Sequence, residues 1–172
     1  MIKAILFDMG DTLLVEDAEL TQPIWQGEIE LVPHAEELLA ALHGKYRLAI
    51  VSNTKSNREA DLRAILARVD LEKYFDCILT STDMGSAKPE APIYNRALEL
   101  LQVTPAEAVM IGDKLETDIR GANRLGIKTI HLARKGRWHQ DNEAARVSES
   151  DPHLLPQHTV QALNEVLQIL EG

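Results

Sequence analysis

The sequence holds one cysteine, Cys77, among its 172 residues. A single thiol excludes an internal disulfide and any zinc site assembled from several thiolates. Cys77 stands in the apolar run Phe75-Asp-Cys-Ile-Leu-Thr80, where a buried, inert thiol is expected, because buried cysteine behaves as a small hydrophobe. Long apolar stretches are missing as well. No run approaches the roughly 20 residues needed to cross a bilayer, so no membrane partner is expected. The opening Met1-Ile-Lys-Ala-Ile-Leu-Phe-Asp8 turns acidic too soon for a signal peptide and reads as a first strand, which makes the cytoplasm the expected location. Basic residues are in deficit, 18 Lys and Arg against 27 Asp and Glu, for a formal net charge of −9. That balance argues against nucleic acid as a partner, since its backbone is bound by clustered Lys and Arg. A phosphorylated small molecule stays admissible, because its charge can be met locally by a metal and one lysine. There is no internal repeat and no sign of a second domain. The length suits one domain with one sizeable core.

What the sequence does have is a regular alternation of short strands and helices. The strand candidates are 2–7, 46–51, 77–79, 108–111 and 128–132, brief and β-branched-rich as buried parallel strands tend to be. Helical stripes lie between them. Ala35, Leu38, Leu39 and Leu42 follow the i, i+3, i+4, i+7 spacing, with Gly44 as a stop. Leu62, Ile65, Leu66 and Val69 repeat it, opened by Ser56 and Glu59 as a capping box. Ile93, Ala97, Leu100 and Leu101 mark another helix, and Thr104-Pro-Ala-Glu107 reads as a capped turn. Residues 118–125 make a further helix closed by Gly126, and Val160, Leu163, Leu167 and Leu170 line a last one. The polar, aperiodic segment 134–150 is expected to be a surface loop. Alternating βα units predict an α/β fold of the Rossmann-like, doubly wound kind, with a mainly parallel sheet of about five or six strands and helices on both faces. Ligands of such folds gather beyond the carboxyl ends of the strands.

The polar residues at those strand ends are the candidates for chemistry. The first strand runs into Asp8-Met-Gly-Asp11-Thr12, the second into Ser52-Asn53-Thr54, and the fourth into Gly112-Asp113, with Asp118 following. A lone strand-end aspartate is usually a cap or turn residue. Asp8 and Asp113, both at strand ends of one parallel sheet, can converge, and close carboxylates repel unless a cation or a proton lies between them. Hard oxygen ligands with positions left for water suit Mg²⁺. Lys88, before Pro89, is steered away from helix and belongs to the loop entering the helix near Ile93. There it is either a surface lysine or a counter-charge to a phosphate or carboxylate.

These four segments, in this order and spacing, resemble the motifs of the haloacid dehalogenase superfamily. Asp8-Met-Gly-Asp-Thr12 resembles its first motif, Ser52 after Ala49-Ile-Val51 the second, Lys88-Pro89 the third, and Gly112-Asp-Lys-Leu-Glu-Thr-Asp118 the fourth. The resemblance implies a nucleophilic Asp8 that forms an aspartyl-phosphate, later hydrolysed by water. It implies Mg²⁺ held by Asp8, the carbonyl of Gly10 and Asp113, with Asp118 binding directly or from behind. Ser52 and backbone N–H groups around Asn53 would bind the phosphoryl group, and Lys88 would balance charge on the phosphate and Asp8. Most phosphatases of the superfamily carry an acid–base aspartate two places after the nucleophile, where this sequence has Gly10. The nearest acid is Asp11, which either takes over that role or braces the loop.

Substrate choice in this superfamily often comes from a cap inserted between the first and second motifs. Here only residues 13–32, about twenty, are left for one, enough for a flap hairpin. The chain therefore resembles a capless member, a single domain over residues 1–172 with a short flap at 13–32. Capless members act on bulky substrates or shield the site by forming homo-oligomers. Trp25, in Gln22-Pro-Ile-Trp-Gln26, either stacks on a substrate or packs on the domain. Arg134, Lys135, Arg137, Trp138 and His139 either touch an anionic substrate or form a solvated loop. The expected function is a Mg²⁺-dependent phosphatase of a small or medium phosphorylated substrate. The alternatives are a weakly active or non-catalytic relative that binds metal, phosphate or protein, and a Mg²⁺-independent dehalogenase.

Overall fold

A computed structural model of the chain describes residues 1–16, 27–134 and 151–172. The first strand, β1 (Ala4–Phe7), sends its side chains alternately into two cores: Ile5 and Phe7 into one, Ala4 and Leu6 into the other. Burial on both faces is why the run is continuously apolar, and it is the normal state of a parallel strand. The remaining strands are β2 (Arg47–Ser52), β3 (Cys77–Thr80), β4 (Ala108–Gly112), β5 (Lys128–Leu132) and β6 (His158–Val160). They form one sheet in the order β3-β2-β1-β4-β5-β6, parallel at every pairing. The expected doubly wound α/β architecture is observed, with six strands.

Helices cover both faces. On one, α1 (Ala35–Leu42) and α2 (Glu59–Ala67) bury Leu38, Leu39, Leu42, Leu62, Ile65 and Leu66 against Ile5, Phe7, Leu48 and Ile50. On the other, the short α3 (Ser81–Met84) leads through a loop into α4 (Ala91–Leu101), which packs on Ala4, Leu6, Ala49 and Val51. The small residues of β1 and β2 on this second face leave room for Tyr94, which is fully buried. A π-helical turn (Leu115–Ile119) continues into α5 (Arg120–Arg124), and α6 (Val166–Glu171) closes the chain.

Several local expectations need correction. Helix α2 is capped not by Ser56 and Glu59 but two residues later, where the Arg58 N–H donates to Asp61 Oδ2 at 2.8 Å. The Glu59 carboxylate is taken instead by Arg63, one turn on. Val160 belongs to β6, paired with Leu132, and the last helix begins only at Val166. The helix expected from Asp118 opens earlier, with the π-helical turn from Leu115. Leu100 points outward, and Leu98 takes its place in the core. Cys77 is half-buried because it sits on the edge strand β3. Burial, with Asp76 beside it, pushes its thiol pKa up to about 11. The Thr104 turn forms as expected, with the Thr104 N–H and hydroxyl both donating to Glu107 Oε2. Among the described residues no helix is long and apolar enough to cross a membrane.

The topology decides where a site can form. The chain builds β1, β2 and β3 outward in one direction, then returns to lay β4 on the other side of β1. At that reversal the connections leave opposite faces and open a crevice beyond the strand ends. Phe7 is in register with Ile111, so Asp8 and Asp113 emerge side by side from β1 and β4 at its floor.

Candidate active site

The register of β1 and β4 is extended by one rung, the Asp8 N–H donating to the Ile111 carbonyl at 3.0 Å. Asp113 is held from below by His131 on β5, whose Nε2 lies 3.0 Å from the Asp113 carbonyl oxygen. The π-helical turn brings Asp118 back over the end of β4. The approach is so close that a Cβ on Gly112 would lie 2.3 Å from Asp118 Oδ2. A glycine is needed there for space. Tyr94 fixes the turn from α4, its hydroxyl donating to the Thr117 carbonyl at 2.7 Å. Asp8, Asp113 and Asp118 each place a carboxylate oxygen within 4.8 Å of the others, and all three are buried.

Lys88 enters this cluster from the loop between α3 and α4. Its ammonium donates to Asp8 Oδ1 at 2.7 Å and to Asp118 Oδ1 at 2.6 Å, with the side chain 1% exposed. The surface-lysine alternative is excluded. The loop is pinned by Asn53, whose amide accepts from the Lys88 N–H at 2.8 Å and donates to the Lys88 carbonyl at 2.9 Å. The Asn53 side chain therefore serves Lys88. Ser52, at the end of β2, is buried beside the site.

The charges here are strongly coupled. Burial drives the Lys88 ammonium toward the neutral form, but Asp118 and Asp8 outweigh it and hold its pKa above the ordinary value. Burial likewise pushes the Asp8 carboxyl up, and Lys88, joined by Lys114 and a contact with Asp113, more than reverses that, so Asp8 lies below the usual carboxylate range. Asp118 is shifted the other way, raised by burial and by Asp8 and Asp113, with Lys88 opposing. Both Asp118 oxygens already accept protein hydrogen bonds, Oδ1 from Lys88 and Oδ2 from the Lys114 N–H at 3.0 Å.

Thr12 was not singled out in the sequence, yet its hydroxyl lies 3.5 Å from Asp8 Oδ2 and 3.4 Å from Asp113 Oδ1. It is fully buried between the two carboxylates. Lys114 and Glu16 were also missed. Solvent loss disfavours the Lys114 charge, but Asp8, Asp113, Glu16 and Asp118 together hold its pKa up. The Glu16 carboxyl is raised by solvent loss first, with Lys114 opposing and Asp8, Asp11 and Asp113 adding to the rise.

Asp11 is buried with a left-handed φ of 56°, and its Oδ1 accepts the Glu16 N–H at 3.0 Å. Arg134 Nη1 stands 3.8 Å from the same oxygen. This is the geometry of the bracing alternative. Between Leu13 and Val32 the described backbone pairs at Leu14 and Leu31, and the Val15 N–H donates to the Glu30 carbonyl, while residues 17–26 of the expected flap lie outside the described residues. Trp25 and residues 135, 137, 138 and 139 of the basic cluster lie outside the described residues.

Fold and site together are those of a doubly wound α/β protein with an acidic, lysine-bridged centre at its topological switch point. The chain belongs to the haloacid dehalogenase-like hydrolases, whose family pattern matches residues 15–132. It is 37% identical over 122 residues to a ribulose-1,5-bisphosphate 5-phosphatase of Halopiger xanaduensis, a match covering 70% of this chain and 49% of that protein. It is 41% identical over 78 residues to a glyceraldehyde 3-phosphate phosphatase of Methanopyrus kandleri, covering 45% of this chain and 33% of the relative. The chain thus spans about half the length, or less, of these curated relatives. Among solved structures, a phosphatase of the same superfamily from Thermococcus onnurineus superposes with a TM-score of 0.77 at 22% identity, over 99% of both chains. That likeness is one of fold.

Proposed function

We propose that this protein is a Mg²⁺-dependent phosphatase that acts through an aspartyl-phosphate on Asp8. The observation that carries the reading is the buried cluster of Asp8, Asp113 and Asp118 at the switch point, with Lys88 bridging Asp8 and Asp118. Such a cluster fits a divalent cation. Asp8 and Asp113 share the Thr12 hydroxyl at 3.4–3.5 Å, and buried carboxylates this close repel unless a cation or a proton lies between them. Their oxygen-only donor set is the kind Mg²⁺ prefers. Asp8 and Asp113 would hold the ion, and Asp118, whose oxygens are engaged by Lys88 and Lys114, would act from behind it. When bound, Mg²⁺ supplies positive charge and orientation for the phosphoryl oxygens.

The chain's own residues account for the other requirements of phosphoryl transfer, which are positioning and charge cancellation. Asp8, kept ionised by Lys88, is the nucleophile. Lys88 also offsets charge on the incoming phosphoryl group, and Ser52 with the backbone around Asn53 binds its oxygens. Asn53 holds Lys88 in register, and Asp11 braces the loop behind the nucleophile. The names of the two relatives, both phosphatases of small phosphorylated compounds, support a small or medium phosphorylated substrate. The one-cysteine composition suits a cytoplasmic setting.

The test is hydrolysis of p-nitrophenyl phosphate with and without Mg²⁺. Turnover should require the ion and disappear in Asp8→Asn. Folded protein that turns over no member of a broad phosphate-ester panel in Mg²⁺ would refute the reading and favour the non-catalytic alternative. Release of halide from 2-haloacids without Mg²⁺ would favour the dehalogenase.

A further inference from the structure

Among the described residues, the buried acids of the site are not placed to protonate the departing oxygen. Asp8, Asp113 and Asp118 are buried, and Asp11 is 5% exposed with an oxygen committed to the loop. The leaving group departs toward solvent, so its proton donor must stand at the mouth. Among the described residues, Glu16 is an exposed acid whose carboxylate stands against Gly10, two places after the nucleophile.

Its location is specific. A Cβ built on Gly10 would lie 2.2 Å from Glu16 Oε1, 2.3 Å from its Cδ and 2.8 Å from Oε2. The Glu16 carboxylate thus fills the space that a side chain at position 10 would occupy, directly beside the nucleophile's loop. The backbone at Gly10 is not in the left-handed region, so its own conformation does not demand glycine. What a side chain there would meet is Glu16. The main chain at Glu16 is tied to Asp11 Oδ1, and that of the preceding Val15 to the Glu30 carbonyl.

We propose that Glu16 is the acid–base residue of this active site, reaching from further along the loop into the volume vacated by glycine at position 10. The inference rests on the phosphatase reading of Asp8. In the first half-reaction a carboxylate oxygen of Asp8 bonds to phosphorus as the P–O bond to the leaving group breaks. The electron pair goes to the leaving oxygen, which takes the proton of the Glu16 carboxyl and departs as an alcohol. In the second, the Glu16 carboxylate takes a proton from water as that water's oxygen bonds to phosphorus. The Asp8–phosphorus bond breaks, Asp8 regains its carboxylate, and inorganic phosphate leaves. Asp11 is a positioning residue for this step, acting through the Glu16 backbone.

The test compares wild type with Glu16→Gln in Mg²⁺ on two substrates under single-turnover conditions. p-Nitrophenol leaves without a proton, whereas glycerol from glycerol phosphate needs one. Glu16→Gln should lower release of glycerol by about 10²–10⁴-fold, the usual worth of a general acid, while the nitrophenol burst changes by only a few-fold. A second arm uses Glu16→Ala with and without Gly10→Asp. The double variant has an acid at position 10 and no side chain to collide with it, and should recover glycerol release at least tenfold over Glu16→Ala. Equal losses on both substrates, or none on either, in a folded variant overturn the assignment and leave the phosphatase reading intact. An inactive wild type overturns both.

Discussion

On the inner side of Asp8, Lys88 closes two ion pairs at 2.7 and 2.6 Å with a side chain that is 1% exposed. On the outer side, Arg134 stands 3.8 Å from Asp11, and its Nη1 is buried with no hydrogen-bond partner. The inner groups come from β1, the loop before α4, and the turn after β4, each fixed by packing or by a dedicated hydrogen bond. The outer groups, Asp11, Glu16 and Arg134, lie on loops and are joined by longer or backbone contacts. This division suits the proposed phosphatase activity. The phosphoryl group is the same in every ester and can be met by fixed charges, whereas the leaving group differs and has to be met by parts that can vary.

The largest expected effect comes from breaking the inner side. Lys88→Met leaves Asp8 and Asp118 buried with no cation between them, and breaking a buried pair in this way costs about 3–5 kcal/mol. Urea unfolding should register that loss, together with loss of phosphatase turnover. An unchanged unfolding midpoint would mean that the Lys88 pairs are not what holds the strand ends together.

Next in size is the response to the ion. An ion that binds only the folded site stabilises it, so Mg²⁺ at a hundred times its dissociation constant should stabilise the fold by about 2.7 kcal/mol. Asp113→Asn should remove that gain and leave the metal-free protein at least as stable as wild type, because one of the repelling charges is gone. A Mg²⁺ effect that survives in Asp113→Asn would place the ion elsewhere.

The inner side was also the more legible in the sequence. Asp8, Ser52 and Asp113 stand at the ends of apolar runs, and once a parallel sheet is inferred its register brings strand ends together. Lys88 was marked by the proline after it. Thr12, Glu16 and Lys114 carry no such signal, since a loop's path over the strand ends is set by hydrogen bonds such as Glu16 N–H to Asp11 that no periodicity encodes. Gly10 was read as a missing acid, and only the path of the loop brings Glu16 over it. The same limit affected short elements. The three residues of β6 are too few for an alternating pattern, so Val160 joined the helical stripe of Leu163 and Leu167. At α2 both Ser56/Glu59 and Arg58/Asp61 have cap spacing, and what separates them is the claim of Arg63 on Glu59.

An intermediate effect is expected at Asn53, which contributes to the inner side without carrying charge. Asn53→Ala removes two hydrogen bonds to the Lys88 backbone, each worth about 0.5–1.5 kcal/mol, and spares the ion pairs. Stability should fall by about 1–3 kcal/mol on that scale. Turnover should fall with little change in KM, since Lys88 is loosened rather than lost. A fall in stability equal to that of Lys88→Met would mean that the loop, and not the charge, holds the inner side.

The smallest effect should come from Arg134. At 3.8 Å from Asp11 the pair is long for a charged hydrogen bond, and weak ion pairs of this kind contribute about 0–1 kcal/mol. Arg134→Met keeps most of the apolar stem and removes only the guanidinium, so any change reports the charge itself. The Asp11 carboxylate retains the Glu16 N–H, and the loop should keep its shape. Unfolding of this variant in the absence of Mg²⁺ should therefore fall within about 1 kcal/mol of wild type, several times less than for Lys88→Met. A loss as large as that of Lys88→Met would erase the distinction between the two sides, and would make Arg134 and Asp11 a second structural ion pair rather than a loosely held edge of the site.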